Sequence, residues 1–469
     1  MKNAALGVEL LREGYGRGEL LAVLESVVAA ADPGKLVREA LKVAGKSLIV
    51  GQRKLSVHRR RTYAIAVGKA SQAMALAADH ALGDRLTAGI AVVPSAQEVQ
   101  LGKKWRVLPG GHPYPDERSR TAAEAVGEFS DDISDEDIVL CLLSGGGSAL
   151  VAAPQPGLTV ADLRIVTELL VGSGVPISEV NQVRSHLSTL GGGGLARRLG
   201  GAEVVTLALS DVVGSCPSTI ASGPTSPDAS TFSDARSVLV SHRLWERAPA
   251  AVRDRLEQGS RGQVEETAKP RDPVFSRMSF HLLADGASCL RSAARLAERH
   301  GWNVIVSPNP IVGDAREAGT RAGRMLCRRR REVRQPALWL GAGETTVVLR
   351  GHGRGGRNQE AAVATAVEIE GTNEVAAAWF GTDGIDGASD AAGAIVDGVT
   401  ARLAHEAGHD ERMTFEENDS YSFLAASGDL LITGPTGTNV ADIFAGLTGK
   451  LSMGRARLDG MQGGGARRE

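Results

Sequence analysis

Ile138-Val139-Leu140-Cys141-Leu142-Leu143-Ser144-Gly145-Gly146-Gly147-Ser148-Ala149-Leu150 is an unbroken apolar run that meets three consecutive glycines flanked by serines before apolar character resumes. Six apolar residues without alternation predict a strand covered on both faces. Glycines at its carboxyl end let backbone N–H groups crowd round an anion, and the serine hydroxyls add neutral donors. The loop lacks the closing Gly-Lys-Ser/Thr of a Walker A sequence. On these residues alone, a phosphate site and a flexible turn both remain open.

The same pattern recurs along the chain. Apolar runs at Tyr63 to Val67, Gly89 to Val93, Val204 to Leu209, Asn303 to Ser307, Val375 to Phe380 and Asp429 to Thr433 predict further strands, and many of the 58 glycines follow such runs directly. Helix-like stretches lie between them, such as Ala161 to Leu170 behind the potential cap Thr159. Strand and helix in alternation predict an α/β fold, layered around mostly parallel sheets.

At 469 residues the chain exceeds one ordinary hydrophobic core, which predicts two domains. The break is expected at the basic stretch Arg328 to Gln335, giving domains 1–330 and 336–448 and a tail, 449–469, that is partly disordered. A net charge of −2 argues against a general nucleic-acid binder. The basic runs His58 to Arg61 and Arg328 to Arg331 lack the interleaved aromatics that base stacking requires and read as solvated faces. Cys141, Cys216, Cys289 and Cys327 show no metal-type spacing, and Cys141 reads as a small buried hydrophobe. Without a signal-peptide core or a membrane-length apolar stretch, the expected location is cytoplasmic.

Chemistry-bearing residues stand at the ends of the expected strands. Lys69 follows Gly68 where a helix should begin, so a bound phosphate would make both the lysine and the helix terminus attractive. Asp211 closes the run Leu207-Ala208-Leu209-Ser210, at the strand end where open α/β sheets bind ligands. It could coordinate a metal, accept a substrate hydroxyl proton, or merely cap its loop. Arg184 and His186 precede the four glycines Gly191 to Gly194, and His186 suits a structural role as well as a catalytic one. In the last third, Glu344 follows Gly341-Ala342-Gly343, while Arg354 and Arg357 sit in a glycine loop where guanidinium groups would suit phosphate oxygens. Asp383 and Asp386 end another strand, and Asn439 lies in Gly434-Pro435-Thr436-Gly437-Thr438-Asn439. Carboxylates, glycine loops and cations together describe phosphoryl transfer assisted by a metal ion.

Taken in order, Ser144 to Leu150, Ser210-Asp211-Val212-Val213-Gly214, Ser222-Gly223-Pro224-Thr225, Gly355 to Glu360, Thr382 to Gly387 and Gly437 to Val440 resemble the motifs of class II glycerate kinases, the glycerate 2-kinase family with a C-terminal MOFRL domain. Gly68-Lys69-Ala70 and Gly110 to Asp116 fit the same pattern, so the resemblance spans about Ala30 to Leu447. It implies a Rossmann-like larger domain, an active-site cleft between two α/β domains, and ATP-dependent phosphorylation of D-glycerate at C2 with Mg2+. It also implies catalytic roles for Lys69, Arg357 and Asp211. Nucleotide or substrate contacts would come from Ser144, Gly145, Gly146, Gly147, Ser148, Arg184, His186, Glu344 and Asn439, with Asp383 toward the metal. The expected partners are small molecules, with no nucleic acid and no membrane, and a homodimer is left open.

The chain departs from that family pattern at three positions. Ser185 and Gly191 stand where lysines are expected, and Ser215 where an aspartate often occurs. Two other readings stay open: a hydroxypyruvate reductase, a label often given to members of that family, although no Gly-x-Gly-x-x-Gly fingerprint with its distant acidic residue is present, and a non-catalytic sugar-acid or nucleotide sensor, which the missing lysines make plausible.

Overall fold

The computed structural model describes residues 6, 10–51, 53–94, 101–212, 214, 216–332 and 335–449. Two compact units result: a central unit, Pro33–Leu283, and a split unit assembled from Met1–Asp32 and Ala284–Glu469. Most of the expected tail, residues 450–469, and the neutral substitution at Ser215 lie outside the described residues.

The central unit begins with a small antiparallel sheet of β1 (Leu41–Ala44), β2 (Ser47–Val50) and β3 (Arg53–Ser56). Its main sheet holds β4 (Thr62–Val67), β5 (Leu86–Val93), β6 (Trp105–Pro109), β7 (Ile138–Leu143), β8 (Glu203–Leu209) and β9 (Met278–Ala284), in the order β6-β5-β4-β7-β8-β9. From β6 to β8 the neighbours are parallel. β4 and β7 are buried along their whole length, as unbroken apolar runs should be when helices cover both faces. Strand order reverses between β4 and β7, because β5 and β6 build outward on one side and β8 on the other. Ligands in open α/β sheets occupy the crevice at such a reversal, outside the carboxyl ends of the strands. The helix expected behind Thr159 is Val160–Gly172, with the Thr159 hydroxyl accepting from the Asp162 N–H at 3.1 Å.

In the split unit are β10 (Asn303–Val306), β11 (Ile311–Asp314), β12 (Ala337–Thr346), β13 (Val375–Gly381), β14 (Gly393–Asp397), β15 (Leu430–Leu431) and β16 (Asp442–Thr448). Their order is β10-β12-β16-β13-β14-β15, with β11 also beside β12. Here the expectation of mostly parallel strands needs correction. Only β10 and β11 run parallel to β12, whereas β12/β16, β16/β13, β13/β14 and β14/β15 are antiparallel. β13 reaches β14 through a short loop in place of a crossover helix, a connection that favours antiparallel pairing.

The compact units are bounded at Asp32/Pro33 and at Leu283/Ala284. The basic stretch at Arg328 to Arg331 ends the helix Ala315–Glu332, which leads into β12 of the same unit. Residues before Pro33 join the split unit through buried ionic contacts that no local pattern reveals. Arg12 forks onto Asp397 (2.8 and 3.0 Å) and also reaches Asp429 (2.7 Å), while Arg17 pairs with Asp429 at 2.8 Å and donates to the Ile395 carbonyl at 2.6 Å.

Candidate functional site

In the central unit the carboxyl ends of β4, β7 and β8 bring one set of the expected residues together. Ser144 N–H donates to the Val67 carbonyl at 3.0 Å, Lys69 N–H to the Gly145 carbonyl at 2.9 Å, and Ala70 N–H to Ser144 Oγ at 3.0 Å. The loops after β4 and β7 are thus laced to one another. Lys69 precedes the helix Ser71–Leu82 and is not inside its first turn. Gly146 adopts φ 81°, and a Cβ there would approach His112 Cδ2 at 2.9 Å and Lys69 Cγ at 3.2 Å, so those two side chains flank it. A Cβ on Gly145 would have the carboxyl end of Asp211 as its three nearest atoms, overlapping Oδ2. Lysine and aspartate therefore border the glycine run that sits at the strand-order reversal.

Two glycine substitutions separate framework from chemistry. At Gly68, φ is 130°, and an added Cβ would overlap Ser144 Oγ and lie 2.5 Å from the Ser144 backbone oxygen. Gly68→Ala is expected to lower unfolding free energy by about 2 kcal/mol or more in urea titrations. Gly145→Ala displaces only the end of a side chain, so Tm should hold while kcat falls at least tenfold as Asp211 swings aside. Unchanged kcat in Gly145→Ala would remove Asp211 from the account.

Behind the loop, Ser148 Oγ lies 2.7 Å from Ser222 Oγ, and Ser222 Oγ donates to Asn181 Oδ1 at 3.0 Å. Because the one Ser222 proton is taken, Ser148 is the donor between the serines and presents its lone pairs elsewhere. Ala221 and Ser222 hold φ 52° and 58°, a left-handed pair that non-glycine residues adopt at a cost of about 1 kcal/mol or more each. No sequence pattern gives Ser222, Asn181 or His112 a role; only spatial neighbours mark them out. His186 is placed otherwise than expected. Its ring is buried, with Nδ1 2.7 Å from the Gln182 carbonyl, Nε2 3.1 Å from Glu266 Oε2, and an edge contact to Phe232. One ring nitrogen is engaged within its own helix and the other by Glu266 of a loop, so His186 is a structural histidine. Ser185, the first position expected to be lysine, is buried and donates weakly to the Ser222 carbonyl at 3.4 Å.

The split unit gathers the second set. Arg357 opens the helix Arg357–Glu368; its Nε donates to Asp442 Oδ2 at 2.6 Å and Nη2 to Oδ1 at 3.2 Å, and Nη1 lies 2.9 Å from Glu344 Oε1. Burial would lower the guanidinium pKa, but Asp442 and Glu344 outweigh it and raise it. The β ladder explains the meeting: Asp442 is opposite Gly343 on one side and Gly381 on the other, so β12, β16 and β13 deliver Glu344, Asp442 and Thr382-Asp383 to one sheet end. Thr382 Oγ1 accepts from Val440 N–H at 2.8 Å, and the Asp383 carbonyl accepts from Thr436 N–H at 3.2 Å, which ties the Asp383 loop to the Asn439 loop. Asn439 Oδ1 accepts from Ala441 N–H at 3.3 Å. Arg354, in contrast, pairs with Asp390 at 2.7 Å and stacks over Tyr421. Asp442 was missed in the sequence because it begins a strand that no alternation announces.

Asp386 holds the helix that carries Arg357. Its carboxylate accepts from Asn358 N–H (3.1 Å) and Gln359 N–H (2.8 Å), the donors that the cap residue Gly356, having no side chain, leaves unserved. Burial, aided by Asp442, nevertheless pushes its pKa up to about 6. A carboxyl raised in the folded state contributes stability that is complete below its unfolded pKa of about 4 and is lost as pH rises through about 6. Asp386→Asn should remove that dependence: relative to it, the unsubstituted protein loses roughly 3 kcal/mol between pH 4 and pH 7 in denaturant titrations.

Among the described residues no group of three or more His, Cys, Asp or Glu side chains is arranged for a metal ion. Mg2+ does not require such a group, since it is commonly held by one or two carboxylates together with substrate phosphates. Half-buried Asp383, with Oδ1 accepting from Ile385 N–H at 3.2 Å, has the chemistry to hold it. The cysteines carry no such role. Burial pushes the Cys141 thiol up to about 12 and that of Cys289 up to about 11, and all four are free.

Comparison with known proteins identifies the family. Residues 19–257 match a domain of unknown function, DUF4147, and residues 337–442 match the MOFRL family. The chain is 39% identical over 427 residues to a glycerate 2-kinase of Pyrococcus horikoshii, covering 90% of this chain and 95% of that one. It is 38% identical over 440 residues to an Agrobacterium vitis protein named as a hydroxypyruvate reductase, covering 92% and 94%. A solved structure of glycerate kinase from Thermotoga maritima superimposes with a TM-score of 0.76 at 36% identity, covering 92% of this chain and 99% of that one. Fold and relatives define a two-unit α/β kinase. The chain belongs to the glycerate kinase family with a C-terminal MOFRL domain.

Proposed function

We propose that this chain transfers the γ-phosphoryl group of ATP to the C2 hydroxyl of D-glycerate, forming 2-phosphoglycerate and ADP. The observation that carries the reading is the meeting of Lys69, the glycine run Gly145 to Gly147 and Asp211 at the strand-order reversal of the central sheet. In the reaction, the C2 oxygen bonds to the γ-phosphorus, the bond to the β,γ-bridging oxygen breaks, and the hydroxyl proton passes to Asp211. Lys69 and the loop N–H groups neutralise charge on the phosphoryl oxygens, and positioning supplies most of the rate. Arg357, pre-oriented by Asp442 and Glu344, adds a second cation; Asn439 and Glu344 contribute polar contacts to the nucleotide. Mg2+, when bound at Asp383, offsets phosphate charge.

The reading places the enzyme in the cytoplasm; among the described residues, no helix is long and apolar enough to cross a membrane. Homodimerisation is tested directly by light scattering. D-glycerate-dependent release of ADP supports the kinase, whereas oxidation of a nicotinamide cofactor by hydroxypyruvate would favour the reductase that the Agrobacterium vitis relative is named for. Binding of ATP and D-glycerate without ADP release would favour a sensor.

A further inference from the structure

Arg184 is placed unlike any other cation described above. It is half-buried on the helix Ile177–Leu187, and among the described residues no carboxylate pairs with it. It lines a cavity of about 50 Å³ within the central unit. The glycine loop supplies Gly147 and Ser148 to the wall; Thr167, Ser188 and Ser222 add hydroxyls, and the rest is largely apolar. No other charged side chain is among the lining residues. Gly191, the second position where the family pattern has lysine, lines the same cavity. Desolvation alone pushes the guanidinium pKa down to about 10. Leaving a charge desolvated and unpaired is costly, and such a cost persists where the group awaits an opposite charge.

We propose that Arg184 anchors the carboxylate of the acid substrate and that this cavity receives its carbon skeleton, a reading that rests on the glycerate kinase assignment. Size supports it. A water needs about 10–15 Å³ of such space, so the cavity holds roughly three to five waters, the scale of a three-carbon hydroxy acid and far below a nucleotide. Polarity supports it as well. A guanidinium fork matches a carboxylate, and Ser148, whose proton is committed to Ser222, offers lone pairs to a substrate hydroxyl. With serine and glycine at the two lysine positions, acid recognition in this chain falls on one arginine. The nucleotide phosphates then belong to the outer edge of the loop, beside Lys69.

Arg184→Met and Arg184→Lys test this. Arg184→Met should raise KM for D-glycerate about 100-fold or more, leave KM for ATP within about twofold, and hold or raise Tm, because a half-buried charge without a carboxylate partner is removed. Arg184→Lys should recover part of the affinity. An unchanged KM for D-glycerate would overturn the proposal, as would a fall in Tm accompanied by equal losses for both substrates, the signature of a structural arginine. Should the unsubstituted protein release no ADP, the kinase reading fails separately, and calorimetry with D-glycerate and glycerol decides this one. Binding of D-glycerate but not glycerol, lost in Arg184→Met, sustains the anchor; binding unaffected by the substitution, or absent altogether, overturns it.

Discussion

Lys69→Ala is expected to lower kcat about a thousandfold while changing stability by less than about 1 kcal/mol. The magnitude follows from position. Lys69 leaves β4 beside the glycine run, with its backbone bonded to Gly145 and its side chain against Gly146. A cation held there needs no reorganisation when charge moves onto the transferring phosphoryl group, and such preorganised charges carry large fractions of phosphoryl-transfer rates. The fold does not depend on it: the β4 turn is set by Gly68 and Ser144, and the helix begins at Ser71. Steady-state kinetics with a thermal melt checks both halves of the expectation. Near-normal kcat would remove Lys69 from the reaction.

Arg357→Ala should be comparably damaging but by two separable routes. Its guanidinium is held bidentately by Asp442 and laterally by Glu344, so truncation removes a cation and leaves the largely buried Asp442 uncompensated. Breaking such a pair costs 3–5 kcal/mol when fully buried; with Arg357 over a third exposed, about 2 kcal/mol is the fair expectation. Arg357→Ala with Asp442→Ala should regain most of that stability yet stay about a thousandfold slow, because the cation remains absent. Recovery of both stability and kcat in the double variant would make the arginine structural.

Much of the central unit is legible in the chain itself. β7 has the bounds that its apolar hexad predicts, β4 begins one residue earlier than expected, and the glycine loops fall at their carboxyl ends. These strands are buried on both faces, so local composition reports their environment directly. The split unit is less legible because its order depends on distant partners. β16 enters between β12 and β13, and Arg12 and Arg17 find Asp397 and Asp429 about four hundred residues away. Lys69 and Asp211 could be read from strand ends, since the carboxyl edge of a parallel sheet is a generic site. His186 could not, because whether a histidine faces a ligand or Glu266 is decided by helix packing. Asp442 and Ser222 had no spacing signal and acquire meaning only from what they touch.

The central claim is tested most directly by incubating the protein with ATP, Mg2+ and D-glycerate and identifying the product by phosphorus NMR. The account predicts 2-phosphoglycerate formed in equal amount with ADP. Formation of 3-phosphoglycerate would contradict the proposed attack by the C2 hydroxyl, and absence of any phosphorylated acid would contradict the kinase.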